Sequence, residues 1–238
     1  SAFRAVPRIG HLDRVKRIFG YLAKMNEGTI RVRTEIPDYS DLPVPQYDWS
    51  RSVYGDTTEE VPLDAPKPLG KLVRFTHYVD ANLMHDVLSG KSVTGILHIV
   101  NQTPIDWYSK KQATVETATY GSEFVAARTC VEHAIDLRNT FRYLGVPIEE
   151  CNYMFGDNKS VVDSSITPYA TLNKRHTILS FHRVRQAIAA GVIKFYHVPG
   201  QENPADVLSK HWGYSQVWEL LRPLLFWHGD TSGCIDDG

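Results

Sequence analysis

The chain has 238 residues, of which 42% are hydrophobic and 22% are charged, and its 26 Lys and Arg residues nearly balance 27 Asp and Glu residues. This length suits one domain with an appendage or two small domains, and the apolar fraction excludes a chain that is disordered throughout. No segment approaches the uninterrupted run of about 18 apolar residues that a membrane helix requires, so we predict no membrane partner. The three cysteines form no Cys-x-x-Cys pair, which favours a reducing compartment over a disulfide scaffold.

The first predicted element is an amphipathic helix at about residues 9–25. Its apolar residues, from Leu12 to Met25, recur at three- and four-residue spacing, and basic residues lie near its start. Such a helix cannot bury its apolar stripe alone. We therefore expect residues 1–34 to belong to an upstream domain or to dock on the main body.

Residues 35–70 have a different composition. Between Glu35 and Asp64 there are eight acids and one base, and six of the thirteen prolines lie within residues 35–70. Because proline removes backbone donors and like charges repel, this composition predicts an extended connector that is partly ordered at best. Its aromatic residues indicate packing on a neighbouring surface: Tyr39, Tyr47, Trp49 and Tyr54.

The next segments are typical of strands and then of alternating helices and strands. Residues 71–80, 92–101 and 104–110 are rich in β-branched and aromatic residues and are joined by short turns, so they predict an antiparallel meander. Further along, the pattern predicts helices at 119–144, from Asn158, at 174–190 and at 203–210, and strands at 151–157 and 192–198. A last amphipathic helical segment is predicted at 214–227. The order predicts an α/β fold with a mixed five-stranded sheet, whose first three strands are antiparallel and whose last two are parallel, flanked by helices.

Four acids occupy the ends of these predicted elements. Asp80 ends the first strand, Asp157 ends the fourth, and Glu123 and Asp206 lie in the first turns of helices. Each position taken singly is more often structural, because helix N-termini and strand-ending turns favour acids. If the first and fourth strands are neighbours, however, all four acids reach one edge of the sheet. Four carboxylates repel unless cations neutralise them, and oxygen ligands suit Mg²⁺ or Mn²⁺.

A second charged feature is the segment 164–201, which contains no acid and five Lys or Arg residues. A solvated helix face normally mixes charges, so a single sign favours contact with a polyanion such as nucleic acid.

The histidines and cysteines do not fall into zinc-binding spacing, and we interpret four histidines as packing residues: His77, His98, His133 and His197.

Four runs in order along the chain carry a family resemblance: 105–112 (IDWYSKKQ), 122–127 (SEFVAA), 156–160 (GDNKS), and 197–200 (HVPG) with 204–210 (PADVLSK). They resemble the ribonuclease H domain of copia-type retrotransposon polyproteins. The helix at 9–25, with KRIFGYL at 16–22, is similar to the end of the reverse transcriptase that precedes this domain in such polyproteins. The resemblance covers about 71–212 and 5–25 and leaves the acidic connector unmatched.

The resemblance implies a ribonuclease H-like domain at 71–212, preceded by a reverse transcriptase remnant at 1–34 and the connector at 35–70, and followed by a helix and tail at 213–238. It also implies cleavage of the RNA strand of RNA–DNA hybrids with two Mg²⁺ ions, or alternatively Mn²⁺. Asp80 would bridge both ions, and Asp206 would join it at the ion that activates the attacking water. Glu123 and Asp157 would complete the ion that stabilises the leaving 3′ oxygen.

Three features depart from the family pattern: Gln201 stands where many ribonucleases H have a mobile histidine, Gly121 stands in place of an extra acid, and residues 175–178 (RHTI) lack the acid of the family's basic-His-Ile-Asp signature. An RNA–DNA hybrid presents backbone phosphates and ribose hydroxyls, so we predict that polar and basic side chains contact it. For each lysine, an ordinary surface role remains the alternative. These candidates are Asn158, Lys110, Lys111, Lys174, Arg175, His176, Arg183 and Arg185.

The leading hypothesis is therefore a metal-dependent endonuclease that acts on RNA–DNA hybrids, with the reverse transcriptase domain of the same polyprotein as its partner. We expect it to act in the cell, in a cytoplasmic retroelement particle with access to the nucleus. One alternative is a catalytically inactive nucleic-acid-binding or connecting module. Another is an integrase-like nuclease, which the final acid disfavours because that class ends its acidic set with Glu and this chain has Asp206.

Overall fold

The computed structural model describes residues 7–24, 26, 28–44, 47–172, 177–211 and 219–227. They form two compact units, one comprising Val32–Leu221 and the other Ser1–Arg31 with Arg222–Gly238. The elements in chain order are α1 (Ile9–Lys24), β1 (Gly28–Ile30), β2 (Phe75–Asp86), β3 (Lys91–Val100), β4 (Thr103–Lys111), α2 (Thr119–Tyr143), β5 (Asn152–Gly156), α3 (Lys159–Ile166), α4 (Ile178–Ala189), β6 (Ile193–His197), α5 (Asp206–Ser209) and β7 (Leu225–Trp227).

The larger unit contains a five-stranded sheet in the order β4-β3-β2-β5-β6. Strands β2, β3 and β4 pair antiparallel, whereas β5 is parallel to both β2 and β6. The α2 crossover between β4 and β5 makes this parallel pairing possible, because parallel strands cannot be joined by a tight turn. The predicted fold class is confirmed: it is a mixed five-stranded sheet with flanking helices, antiparallel in its first three strands and parallel in the last two.

The core lies where α2 and α4 cover one face of this sheet. Phe124, Val131 and Ala134 of α2 are fully buried, as the helical periodicity predicts, and they pack with Met154 of β5 and Phe181 of α4. Burying a large apolar side chain contributes roughly 1.5–3 kcal/mol. This packing holds the start of α2 over the centre of the sheet, where two of the predicted acids lie.

The segment 35–70 contains no helix or strand among its described residues, yet it packs on the sheet and on α2 and α4. The ring of Tyr39 lies 4.7 Å from that of Tyr153, and Tyr54 is buried. Glu59 pairs with Arg138 and Arg142 of α2. Tyr39, Trp49 and Tyr54 therefore pack as predicted, whereas Tyr47 is exposed, and the segment lies within the larger compact unit.

One strand boundary and one helix boundary differ from the predictions, and each changes the position of an acid within its element. Strand β2 continues to Asp86, so Asp80 lies in the middle of the strand and does not end it. The extension is possible because β3 continues to pair with it beyond Gly95. Helix α2 begins at Thr119, which places Glu123 in its second turn.

The smaller unit contains α1 and a two-stranded antiparallel pairing of β1 with β7. The helix predicted at 9–25 is confirmed for Ile9–Lys24, and none of its residues is buried. The helix predicted at 214–227 is wrong at its end, because 222–224 form a 3₁₀ turn and 225–227 form β7. Pro223 does not continue a helix, and the aromatic residues that follow it favour a strand. Within the described ranges, every helix is too short or too polar to cross a membrane.

Candidate functional site

Three carboxylates from separate elements converge at one side of the sheet. Asp80 of β2, Glu123 of α2 and Asp157, which directly follows β5, each offer an oxygen within 4.8 Å of the other two. Asp80 and Glu123 are 1% and 6% exposed, and Asp157 is partly exposed. Buried acids at this spacing require neutralisation, because their negative charges repel in a medium of low dielectric.

The parallel pairing of β2 with β5 places two of these acids side by side. Val79 pairs with Gly156, so the residues that follow each of them, Asp80 and Asp157, are neighbours across the strands. The prediction that Asp80 and Asp157 lie at one place on the sheet required their strands to be neighbours. Strands β2 and β5 are neighbours in the structure, although Asp80 lies in the middle of its strand.

A buried glutamine fixes the start of α2 and so the position of Glu123. Gln112, at the end of the IDWYSKKQ run, donates from Nε2 to the Ser122 carbonyl at 2.8 Å and to the Thr94 hydroxyl at 3.0 Å. Glu123 also accepts a hydrogen bond from the backbone of Ala81. The helix is therefore anchored to β3 beside the acids.

A glycine allows α5 to approach the sheet closely enough for Asp206 to reach the other acids. A Cβ atom at Gly95 would lie 2.6 Å from the Ala205 carbonyl oxygen and 2.9 Å from the Ser209 backbone nitrogen, so no larger residue fits without displacement of α5. Gly95 is also the partner of Asp80 in the β2–β3 register. Glycine inside a strand often marks such an approach.

The loop before α5 is tied to β2 by a buried asparagine. Asn203 is fully buried, donates from Nδ2 to the Val79 carbonyl at 3.0 Å and accepts at Oδ1 from the Ala205 backbone at 3.1 Å. These bonds explain the asparagine of the Asn-Pro-Ala-Asp sequence. They hold Asp206 at the first position of α5, as predicted.

Lys210 contacts three of the four acids, although it was not predicted as a site residue. Its Nζ lies 2.7 Å from Asp206, 3.3 Å from Asp80 and 3.9 Å from Asp157. The Ser209 hydroxyl also donates to the carboxylate of Asp80. The spacing of four residues between Asp206 and Lys210, which brings side chains together on a helix, was the available signal.

The electrostatics of the cleft are those of crowded acids. Burial, together with the charges of Asp80 and Asp157, raises the pKa of Glu123 well above its usual range. Burial also raises the pKa of Asp157, and it raises that of Asp206 to about 6 despite the hydrogen bond from Lys210. Burial disfavours the charged form of Lys210, but its hydrogen bond to Asp206 and the neighbouring carboxylates raise its pKa. The site thus attracts positive charge.

Among the described residues, Asn158 is the one predicted substrate residue that lines the same cleft. The cleft has a volume of about 500 Å³, and Lys159 and Ser160 also line it. Asn158 caps α3 by accepting from the Val161 backbone at 3.2 Å, which leaves its amide nitrogen available to a ligand.

The predicted basic contacts are distributed differently. Lys110 is exposed on β4. The hydroxyl of the preceding residue, Ser109, donates to the Leu208 carbonyl of α5 at 2.6 Å. Lys111 pairs with Asp86 at 2.6 Å. Arg183 lines a separate cavity beside residues 57–62. Three predicted contacts, Lys174, Arg175 and His176, lie outside the described residues.

The prediction for Arg185 is wrong, because its guanidinium is buried and both of its terminal nitrogens donate to backbone carbonyls. Its exposed fraction is 2%, and it donates to three backbone carbonyls, those of Ser164, Thr167 and Pro168, each at 2.6 Å. Its guanidinium carbon also lies 5.0 Å from the ring centre of Trp49. It therefore joins α4 to the loops and is not available to phosphate.

The histidine predictions are partly confirmed. His77 and His98 are fully buried packing residues. His197 is exposed, however, and its Nε2 lies 3.1 Å from the backbone oxygen of Asp157, at the edge of the acidic cleft. It is the last residue of β6, at the sheet edge that carries the acids, and this position favours a polar role over packing. Gln201 is exposed in the 3₁₀ turn at Gly200–Glu202.

Comparison with known proteins places these observations in a family context. No family model matches the chain. It is 29% identical over 153 residues to the retrovirus-related Pol polyprotein from transposon TNT 1-94 of Nicotiana tabacum, a match that covers 64% of this chain and 11% of the relative. It is 23% identical over 141 residues to the corresponding polyprotein from transposon RE2 of Arabidopsis thaliana, with coverage of 59% and 10%. The chain thus spans about a tenth of the length of these relatives, and the resemblance to copia-type retrotransposon polyproteins is confirmed.

Solved structures of ribonuclease H domains are also similar. Ribonuclease H1 from Halobacterium salinarum aligns with a TM-score of 0.44 at 15% identity, over 61% of this chain and 98% of that chain. LC11-RNase H1 in complex with an RNA/DNA hybrid aligns with a TM-score of 0.46 at 14% identity, over 57% and 94%.

Proposed function

We propose that this chain is a metal-dependent endonuclease that hydrolyses the RNA strand of RNA–DNA hybrids within a copia-type retrotransposon polyprotein. The observation that carries the proposal is the convergence of Asp80, Glu123 and Asp157 within 4.8 Å, beside Asp206, in an open cleft of the sheet. The similarity to retrotransposon Pol polyproteins supports the same function.

The donor set fits hard divalent cations. All the converging ligands are carboxylate oxygens, and the only positive side chain among the described residues at their centre is Lys210, whose ammonium contacts three of the four acids. Asp80, Glu123, Asp157 and Asp206 would hold Mg²⁺ or Mn²⁺. When bound, two such ions stabilise the attacking and leaving oxygens of an in-line displacement at phosphorus.

The side chains around the acids would bind and orient the hybrid. The amide of Asn158 lies at the cleft and would contact a ribose 2′-hydroxyl, the group that distinguishes RNA from DNA. Lys159 lines the cleft, Lys110 is exposed on β4, and both would contact backbone phosphates. His197, beside Asp157, would hold or transfer a proton near the leaving group.

The wider setting is proposed on the resemblance. We place the domain after the reverse transcriptase of the same polyprotein, in a cytoplasmic particle with access to the nucleus. A catalytically inactive module that only binds nucleic acid is the competing function.

The direct experiment is cleavage of a labelled RNA–DNA hybrid by the 238-residue chain in Mg²⁺. We expect cleavage of the RNA strand, no cleavage of duplex DNA, and a loss of at least about 10²-fold in Asp157→Asn, because an amide is a poor ligand for a hard cation. Asp136→Asn, an exposed position on α2, is the matched control and should retain activity. Equal absence of cleavage by wild type and Asp157→Asn, together with hybrid binding, would establish the inactive module instead.

A further inference from the structure

A second group of metal-ligating side chains lies away from the acidic cleft. His98 of β3, Asp106 of β4 and His133 of α2 each offer one ligand atom within 4.8 Å of the other two. His98 and Asp106 are partners in the β3–β4 register, so their side chains project from the same face of the sheet. Tyr108, two residues along β4, packs its ring against His133 at 4.9 Å between ring centres.

His98 is held in place with one ring nitrogen unused. It is fully buried, and its Nδ1 lies 2.7 Å from Nδ1 of His77, which in turn contacts the side-chain amide of Asn152 at 2.8 Å. Within the described part of the chain, Nε2 of His98 has no hydrogen-bond partner. A buried polar atom without a partner is uncommon in folded proteins and commonly marks a missing water or ion.

We propose that His98, Asp106 and His133 form a site for a borderline divalent cation, Zn²⁺. Two imidazoles and one carboxylate are a typical zinc ligand set with an open fourth position, whereas Mg²⁺ prefers oxygen ligands. A histidine that binds a metal usually has its other ring nitrogen fixed by a hydrogen bond, as His77 fixes His98. Zinc spacing is absent from the sequence because the three ligands come from three different elements.

The ligands can close on an ion without a change in the fold. Donor atoms around a tetrahedral zinc lie about 3.3 Å apart, so atoms that now lie within 4.8 Å need to move by only about an ångström. Asp106 is exposed and His133 is partly exposed, so both have room to adjust, while buried His98 provides a fixed ligand. The exposed carboxylate also provides an entry path from solvent.

Coordination through Nε2 requires the ring proton of His98 to lie on Nδ1, where it is donated to Nδ1 of His77. The proton of His77 then lies on Nε2, and Asn152 turns its amide to present Oδ1. Arg138 gives up its bond to Asn152 in this exchange and keeps its ion pair with Glu59. The number of protons on the two rings is unchanged, because one leaves Nε2 of His98 as another is taken up at Nε2 of His77.

This site is separate from the acidic cleft. His98 lies three residues along β3 from Gly95, the partner of Asp80, which corresponds to about 10 Å. On α2, His133 follows Glu123 by ten residues, about 15 Å along the helix axis. An ion at His98, Asp106 and His133 would connect β3, β4 and α2 and so stabilise the face of the sheet that carries the core.

The test is calorimetric titration of the 238-residue chain with Zn²⁺ in excess Mg²⁺, which occupies the acidic cleft. We expect one zinc ion per chain and a rise in melting temperature. Asp106→Asn and His133→Gln should each weaken binding by at least about tenfold, the lower bound seen even for outer-shell changes. Both positions have solvent access, so melting without zinc shows whether the variants fold. Asp136→Asn is the matched control and should bind like wild type.

Asp157→Asn distinguishes this site from the proposed nuclease site. It should lose hybrid cleavage and keep zinc binding, so that failure of one proposal is separable from failure of the other. If zinc does not bind in excess Mg²⁺, if Asp106→Asn and His133→Gln both bind zinc like wild type, or if Asp157→Asn alone loses it, the proposed site is overturned.

Discussion

Lys210 sets the charge balance of the acidic cleft at the scale of single residues. Its ammonium lies among Asp80, Asp157 and Asp206, at the place where cations are expected to bind. A fixed positive charge from the chain itself allows these buried carboxylates to pack together without a metal. The same contacts mean that a bound divalent ion and Lys210 compete for the same oxygens.

We predict that Lys210→Met lowers the free energy of unfolding of the metal-free protein by about 1–3 kcal/mol. Loss of one partner of a buried ion pair costs more than this, but Lys210 is 31% exposed and solvent screens part of the effect. Urea unfolding in a chelator measures the change, and Mg²⁺ should stabilise the variant more than wild type. Lys16→Met, at an exposed lysine of α1, is the control. Equal stability of the two variants would contradict this role for Lys210.

Single residues also show how far the sequence predicts the site. Asp157 and Asp206 were placed correctly because a strand end and a helix start leave local signals. Lys210 was missed, since its role depends on contacts with residues far away in the chain. Gly95 carried a usable signal, a glycine inside a β-branched run, but nothing in the sequence identified α5 as the element that approaches it.

At the scale of elements, Glu59 attaches the loop at 47–68 to α2. Its carboxylate accepts from Arg138 at 2.6 and 2.9 Å and from Arg142 at 2.8 Å twice. Arg185 approaches the same loop from α4, over the rings of Trp49 and Tyr54. The proline-rich, acidic composition predicted the absence of helix and strand correctly. It could not predict these ion pairs, because they join residues far apart in the chain.

We predict that Glu59→Gln lowers the free energy of unfolding at neutral pH by about 2–3 kcal/mol. Burial opposes ionisation, but Arg142 and Arg138 lower the pKa of Glu59 from 4.5 to about 2, which at about 1.4 kcal/mol per pKa unit corresponds to about 3.5 kcal/mol. Solvent screens part of this, because the carboxylate is partly exposed. Because the pKa in the folded state is the lower one, this stabilisation is present above pH 4.5 and is lost as the pH falls towards 2.

Chemical unfolding of wild type and Glu59→Gln at several pH values therefore measures the size of this stabilisation and the direction in which it changes with pH. The difference between the two proteins should shrink between pH 4.5 and pH 2. Glu60→Gln, at the exposed neighbouring acid, should differ little from wild type at any pH. A difference that stays constant with pH would show that Glu59 acts by some means other than its charge.

At the scale of the whole molecule, the order of elements was enough to predict the mixed sheet. Short links forced the first three strands into a meander, and the long helix between the third and fourth strands allowed parallel pairing. The β1–β7 pairing could not be predicted, since two three-residue strands at opposite ends of the chain carry little local pattern. The positions of the sheet and of α2 together bring the acids into one cleft, which is the feature on which the proposed activity depends.

Anomalous scattering from a crystal of the 238-residue chain soaked in Mn²⁺ tests that feature most directly. We expect manganese peaks among the carboxylates of Asp80, Glu123 and Asp157, with the ammonium of Lys210 displaced from them. A structure at saturating Mn²⁺ with no peak in this cleft, and with Lys210 still bound to Asp80 and Asp206, would contradict the account.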